Sequence, residues 1–373
     1  MSFSGFDIST ATNIYLGSSQ CSEIYIGSTK LWPLSHDYSR DYLTIVSLED
    51  NNKISWKAGN ANLTKTISIS TDGGTTWTQK TSDTTGVTLA TLNTDNKMLV
   101  KGNNTAYANS SYYNYFISSG NFNVEGNIMS LIYEDNFIGQ TTLDSSGYNF
   151  YDLFYNCSKL ISTENLILPA TTLATGCYQL MFWRCFSLTT PPSVLPATTL
   201  SDYCYYAMFQ ACSSLTTAPA LPATTLTSNC YRNMFQGCSS LTTAPALPAI
   251  TLANNCYREM FINCTTLTAA PELPVTTLES NCYYGMFQGC SSLTTAPELL
   301  ATTLTNQCYR NMFRNCANLN YIKCLATDIS ATNCTNNWVN GVSGSGTFVK
   351  DASMTSWSTG VSGIPSGWTI QNA

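Results

Sequence analysis

The chain has 373 residues, of which only 10% are charged, against roughly 25% in an average soluble domain. Its net charge is −6 and it contains no run of Lys and Arg, which argues against nucleic acid or an anionic membrane as the natural partner. No apolar run approaches the ~20 residues that cross a bilayer, so membrane insertion is not expected. The opening Met1–Asp7 lacks a basic stretch followed by an apolar core, so no secretory signal is expected either, and the chain is expected to fold in the cytosol.

Residues 1–36 contain an internal echo. Asn13-Ile14-Tyr15-Leu16-Gly17-Ser18 is answered by Glu23-Ile24-Tyr25-Ile26-Gly27-Ser28, and the second copy runs into Lys30-Leu31-Trp32-Pro33. Each copy reads as a short strand closed by Gly-Ser. Two such strands are too few to stand alone, so they are expected to pack on a neighbour or to be completed by another chain. Ile14, Tyr15, Leu16, Ile24, Tyr25, Ile26 and Trp32 are the candidate residues for docking and homo-oligomerisation.

Residues 37–137 read as a β-sandwich of Ig-like type: short alternating runs such as Tyr42–Val46, Thr66–Ser70 and Lys97–Lys101, separated by turn residues. Within it, Ser70-Thr71-Asp72-Gly73-Gly74-Thr75-Thr76-Trp77 resembles the Asp-box of sialidases, where that motif is structural. Asp72 is expected to cap turn amides, Gly74 to supply positive φ and Trp77 to pack beneath, with no glycosidase role.

From about residue 149 the chain repeats. One cysteine series recurs at 177, 204, 230, 256, 282, 308 and 334, a second at 157, 185, 212, 238, 264, 290 and 316, with a step that settles at 26 residues. A fixed period of that length is the signature of a solenoid, placed here over residues 138–340. Inside a coil, Cys230, Met234, Phe235 and Cys238 form an i, i+4, i+5, i+8 stripe, which predicts two turns of helix. Gly237, Asn263, Gly289 and Asn315 suit its C-terminal end. Ser240–Ala244 then reads as a short strand, and Pro245 and Pro248 hold the return extended. Coils so stacked would rise roughly 4.8 Å each.

The cysteines do not form a zinc site by pattern: their spacing is C-x7-C and the single histidine, His36, lies outside the repeats. Thiols eight residues apart on a helix are about 12 Å apart, too far to bridge. Columns of buried thiols are expected, with disulfides between coils and metal as the alternatives. No G-x-S-x-G, triad or carboxylate pair recurs, so neither enzymatic activity nor a cofactor is expected. Arg232, Arg258 and Arg310 share one slot and read as a solvated ridge. Thr217, Thr243 and Thr295 share another and would align as hydroxyl ladders. Beside them, Tyr205, Tyr231, Tyr257, Tyr283 and Tyr309 complete the candidate ligand-binding face, whose possible partner is a host-surface glycan or protein. Regular Thr arrays on a flat face also raise ice binding, which thermal hysteresis would test.

Met234-Phe235-Gln236-Gly237-Cys238-Ser239-Ser240-Leu241 and Leu247-Pro248 resemble the unit of BspA-like leucine-rich repeats, over about half of the chain. Residues 341–373, rich in Gly and Trp, resemble the terminal cap of such proteins. The whole layout resembles proteins of gut bacteria and especially of their phages. There it implies a virion fibre or appendage attached through residues 1–36 to other virion proteins. A free-standing bacterial surface adhesin is the alternative. The expected class is therefore mainly β with short helices: an N-terminal β module, a sandwich, a leucine-rich-repeat-like solenoid and a cap.

Overall fold

The computed structural model describes residues 36–373 in full, and before them the backbone of four short strands. These are β1 (Tyr15–Leu16) paired antiparallel with β2 (Ser19–Gln20), and β3 (Ile24–Ile26) paired antiparallel with β4 (Thr29–Trp32). The candidate docking residue Ile14 and the side chains of the other six lie outside the described residues.

The alternating runs between residues 43 and 127 form strands because one face of each can be buried. They are β5 (Leu43–Ser47), β6 (Asn52–Ala58), β7 (Thr66–Ser70), β8 (Thr78–Thr81), β9 (Val87–Leu92), β10 (Lys97–Lys101), β11 (Asn114–Ser118) and β12 (Phe122–Asn127). One sheet runs β12-β5-β10-β7-β8, all antiparallel, and a second runs β11-β6-β9. Leu43, Ile45, Val100 and Val124 of the first sheet and Ile54, Trp56 and Phe116 of the second are at most 1% exposed. Trp56 Nε1 donates to Lys65 O at 2.8 Å, so the buried indole is hydrogen-bonded.

The first sheet continues into the repeats. β12 also pairs in parallel with β13 (Leu160–Ser162) and β14 (Leu166–Ile167), so the sandwich's last strand is the first rung of the repeats. Gly126 sits at this junction with φ +82, and a Cβ there would lie 2.0 Å from Tyr42 O, so no other residue fits. One hydrophobic core runs from Leu43 to Trp368.

The predicted helix in each coil does not form. Among the described residues only α1 (Ser130–Tyr133) is α-helical, with two three-residue 3-10 turns. The segment around Cys230–Cys238 is instead a ladder of overlapping turns. Alternate amides bond three residues back: Arg232 N to Asn229 O, Met234 N to Tyr231 O, Gln236 N to Asn233 O and Cys238 N to Phe235 O, at 3.0–3.3 Å. The amides between them cross to the next coil: Tyr231 N to Cys256 O, Asn233 N to Arg258 O, Phe235 N to Met260 O and Gly237 N to Ile262 O, at 2.7–3.1 Å. Each fourth residue has positive φ: Asn229 (58°), Asn233 (59°) and Gly237 (76°). Asn and Gly tolerate that left-handed conformation, whereas a right-handed helix forbids it. The four-residue turn period imitates the i, i+4 spacing of a helix, which is why the apolar stripe misleads.

Alternation also places the rings. Tyr178, Tyr205, Tyr231, Tyr257, Tyr283 and Tyr309 stack as one column, centroids 5.7–6.1 Å apart. The phenylalanines from Phe154 to Phe313 form a second column at 5.4–5.9 Å. This advance exceeds the roughly 4.8 Å of parallel strand pairing. The opposite side is tied by parallel bridges such as Thr225 to Thr251 and Thr243 to Ala269. Both sides of each coil are thus bonded to the next.

The far end closes on β15 (Tyr321–Cys324), β16 (Thr347–Lys350) and β17 (Thr369–Asn372), a parallel three-stranded sheet. Trp338 terminates both ring columns, 6.2 Å from Tyr309 and 6.2 Å from Phe313, and stacks on Trp357 at 5.7 Å. Capping of this kind is what an array needs, because the last coil would otherwise expose an apolar face and unpaired backbone.

Candidate binding faces

The expected ligand-binding tyrosines are not on a face. Tyr205, Tyr231, Tyr257, Tyr283 and Tyr309 are 1–2% exposed, and burial raises their phenols well above the ordinary value. They are core residues because the turn ladder points the residue after each first-series cysteine inward. Their assignment to a ligand site is corrected accordingly. Thr217, Thr243 and Thr295 are exposed, as are Thr225, Thr277 and Thr303. The first row is interrupted by Ala269, which pairs with Thr243, and the second ends where Asp328 succeeds Thr303.

The cysteines are core as well. All fifteen among the described residues are free and buried. In the second series each thiol donates to a phenylalanine carbonyl one coil earlier: Cys212 to Phe182, Cys238 to Phe209, Cys264 to Phe235 and Cys290 to Phe261, all at 3.1 Å. Burial pushes these thiols up, and among the described residues no three His, Cys, Asp or Glu converge as metal ligands.

The turn at Asp72 is as its chemistry implies. Thr76 N and Thr76 Oγ1 donate to the Asp72 carboxylate, Ser70 Oγ donates to Asp72 Oδ1 at 2.7 Å, and Trp77 Nε1 donates to Gly74 O at 3.1 Å. The Thr76 hydroxyl, its amide and Ser70 hold Asp72 down to about 2. Gly74 has φ +91, and the Lys101 ammonium lies 4.2 Å above the Trp77 ring. These groups serve the hairpin.

The aromatic residues that do reach solvent lie elsewhere, at the joint between sandwich and coils. Tyr115 on β11 and Tyr113 just before it meet Tyr155 of the first coil edge-on, each at 5.6 Å, and Tyr155 meets Trp183 of the next coil at 5.1 Å. All four are half-buried. Tyr151 and Tyr155 are four apart, as are Tyr178 and Phe182, but each is displaced one position to the outer side of the turn ladder. A four-residue aromatic spacing carries no sign of which side it takes, so the sequence reading missed them. In the same outer slot as Tyr151 come Gln179, Tyr206, Arg232, Arg258, Tyr284 and Arg310. The Arg258 guanidinium lies 4.1 Å over Tyr284, Arg310 lies 5.6 Å from the same ring, and Arg232 lies 5.7 Å from Tyr206.

No protein-family model matches the chain, and no curated protein matches it. Among solved structures it is similar to a leucine-rich repeat protein from Bacteroides ovatus, at 16% identity over 68% of this chain and 73% of that one, with a TM-score of 0.31. A likeness this loose says nothing about function.

Proposed function

We propose that the chain is an attachment protein: a leucine-rich-repeat solenoid, held by an Ig-like sandwich, displays its outer surface to a host cell while residues 1–36 join it to a larger particle. The observation that carries this reading is the unbroken stack. Rings, amides and thiols all bond from coil to coil, and both ends are sealed, by Phe116 and Tyr107 of the sandwich and by Trp338. Such a body resists bending and presents long rows of side chains at a fixed pitch, which suits display more than turnover.

In the form the layout suggests, the particle is a phage virion and the chain a fibre or appendage. Deleting residues 1–36 is then expected to abolish incorporation into particles while the melting temperature of the remainder stays within a few degrees. A truncated chain that still assembles would overturn the virion assignment. Full-length protein is expected to bind host cells in a pull-down, and failure to bind any candidate host would overturn the attachment reading itself.

A further inference from the structure

Five of the six arginines in this acidic chain, Arg184, Arg232, Arg258, Arg310 and Arg314, lie on the outer side of the turn ladder. Their alignment is set by the backbone. The carbonyls of Tyr206, Arg232, Arg258, Tyr284 and Arg310 each accept an amide from the preceding coil, at 2.8–3.0 Å, so the five residues stand in register as one column. At the sandwich end the same side of the ladder carries Tyr151, with Tyr155 and Trp183 in the adjoining slot and Tyr113 packed against Tyr151 at 6.0 Å. A single track thus begins in half-exposed rings, passes Gln179, and continues as Tyr206, Arg232, Arg258, Tyr284 and Arg310.

The guanidinium groups are held in place. Arg258 stacks on Tyr284 and lies 3.5 Å from the Glu259 carboxylate, yet keeps a quarter of its side chain exposed. Arg310 donates to Gln307 Oε1 at 2.9 Å, and Arg232 to Asn229 Oδ1 at 3.4 Å. The buried Nε atoms of Arg232, Arg310 and Arg314 have no hydrogen-bond partner among the described residues. A stacked guanidinium still offers terminal N–H groups in a fork that fits a carboxylate, at little further loss of side-chain entropy.

We infer that this track binds an acidic polysaccharide, a chain of hexuronate-type sugars lying lengthwise across the coils, with C–H faces on the rings and carboxylates on Arg232, Arg258 and Arg310. The inference rests on the attachment reading and names its partner. Each alternative leaves part of the track unused. A neutral glycan has no use for the arginine column, and polyphosphate has none for the rings. Nucleic acid would use both, and the oligothymidylate arm of the test below separates it from a carboxylated chain. The Thr rows, which have neither rings nor cations, are then surface and not site.

The test is affinity electrophoresis of the full-length protein in gels containing polygalacturonate, alginate, hyaluronate, dextran or oligothymidylate. At least one of the three carboxylated polymers is expected to retard it, less so at higher salt, while dextran does not. The combined variant Arg232→Gln/Arg258→Gln/Arg310→Gln, and separately Trp183→Gln, are expected to weaken binding at least tenfold with melting temperatures near that of the parent. Trp183→Gln leaves the arginine column intact, so it remains decisive if the triple variant folds poorly. No retardation by any carboxylated polymer, equal retardation of parent and variants, or equal retardation by dextran or oligothymidylate overturns the inference. Host-cell binding separates the two levels. If the parent and the triple variant adhere equally, the track is wrong and attachment stands; if the parent does not adhere, attachment fails.

Discussion

Phe116 of the sandwich stacks on Phe154 of the first coil, centroids 5.4 Å apart and planes within 20°. Tyr107 meets Phe150 in the same way at 6.4 Å and 13°. The sandwich therefore supplies a preliminary rung to both ring columns, and Phe116 N donates to Leu153 O while Cys157 Sγ donates back to Phe116 O at 2.9 Å. Phe116→Ala is expected to cost about 3–5 kcal/mol, the usual range for a buried Phe. Because the loss falls on the joint, sandwich and coils are expected to lose their common transition in calorimetry. A single cooperative melt with an unchanged midpoint would contradict the coupling.

Tyr205 supplies a prediction of opposite sign. Its hydroxyl is buried and has no hydrogen-bond partner among the described residues, as is true of Tyr178. An unsatisfied buried hydroxyl is destabilising, and Phe150 already occupies the same column. Tyr205→Phe is expected to stabilise the protein by about 1 kcal/mol and to leave polysaccharide retardation unchanged. Denaturant titration reads the first, and the electrophoresis above reads the second.

The thiols are expected to be silent in the native state. Burial holds Cys256 at about 12 and raises its neighbours further, so almost no thiolate exists at neutral pH. A disulfide-exchange reagent such as DTNB is expected to label none of the fifteen described cysteines before unfolding, and all of them afterwards. Rapid native labelling, or a mass deficit showing disulfides, would contradict the thiol columns. Between variants, Cys264→Ser should retain the bond to Phe235 O that Cys264→Ala loses.

Asp152 gives a pH signature. It is 2% exposed, its Oδ1 has no partner, and burial between Tyr113 and Tyr151 raises its carboxyl to about 8. The folded state thus binds a proton that the unfolded state releases near 3.9. With the folded value raised, stability is undiminished below pH ~4 and falls as pH rises through the interval up to about 8. The penalty at pH 7 is on the order of 4 kcal/mol by linkage, as an upper bound. Asp152→Asn removes it, and also suits the slot: φ is 56° here, and Asn233 and Asn311 occupy it in other coils at 59° and 55°. The variant is expected to be more stable than the parent at pH 7 and to lose most of that advantage at pH 4. An equal gain at both values would assign the effect to backbone conformation alone.

Much of the architecture was legible in residue order, because a repeat announces itself by its own period. The 26-residue step and the two thiol series both follow from which residues return to which slots. So did the turn at Asp72, whose bonds are local. The backbone of each coil was not legible. Helices and overlapping four-residue turns both return an apolar residue at i+4, and only inter-coil hydrogen bonding, supplied by neighbours 26 residues away, selects the turns. That choice rotates each residue to one side of the ladder or the other. It put Tyr205, Tyr231, Tyr257, Tyr283 and Tyr309 in the core and Tyr206, Arg232, Arg258, Tyr284 and Arg310 on the surface. Composition and period determined that this chain is a stack of coils. Which of its faces can meet a ligand was decided by tertiary contact, since the direction of a side chain depends on the hydrogen bonds that fix its backbone.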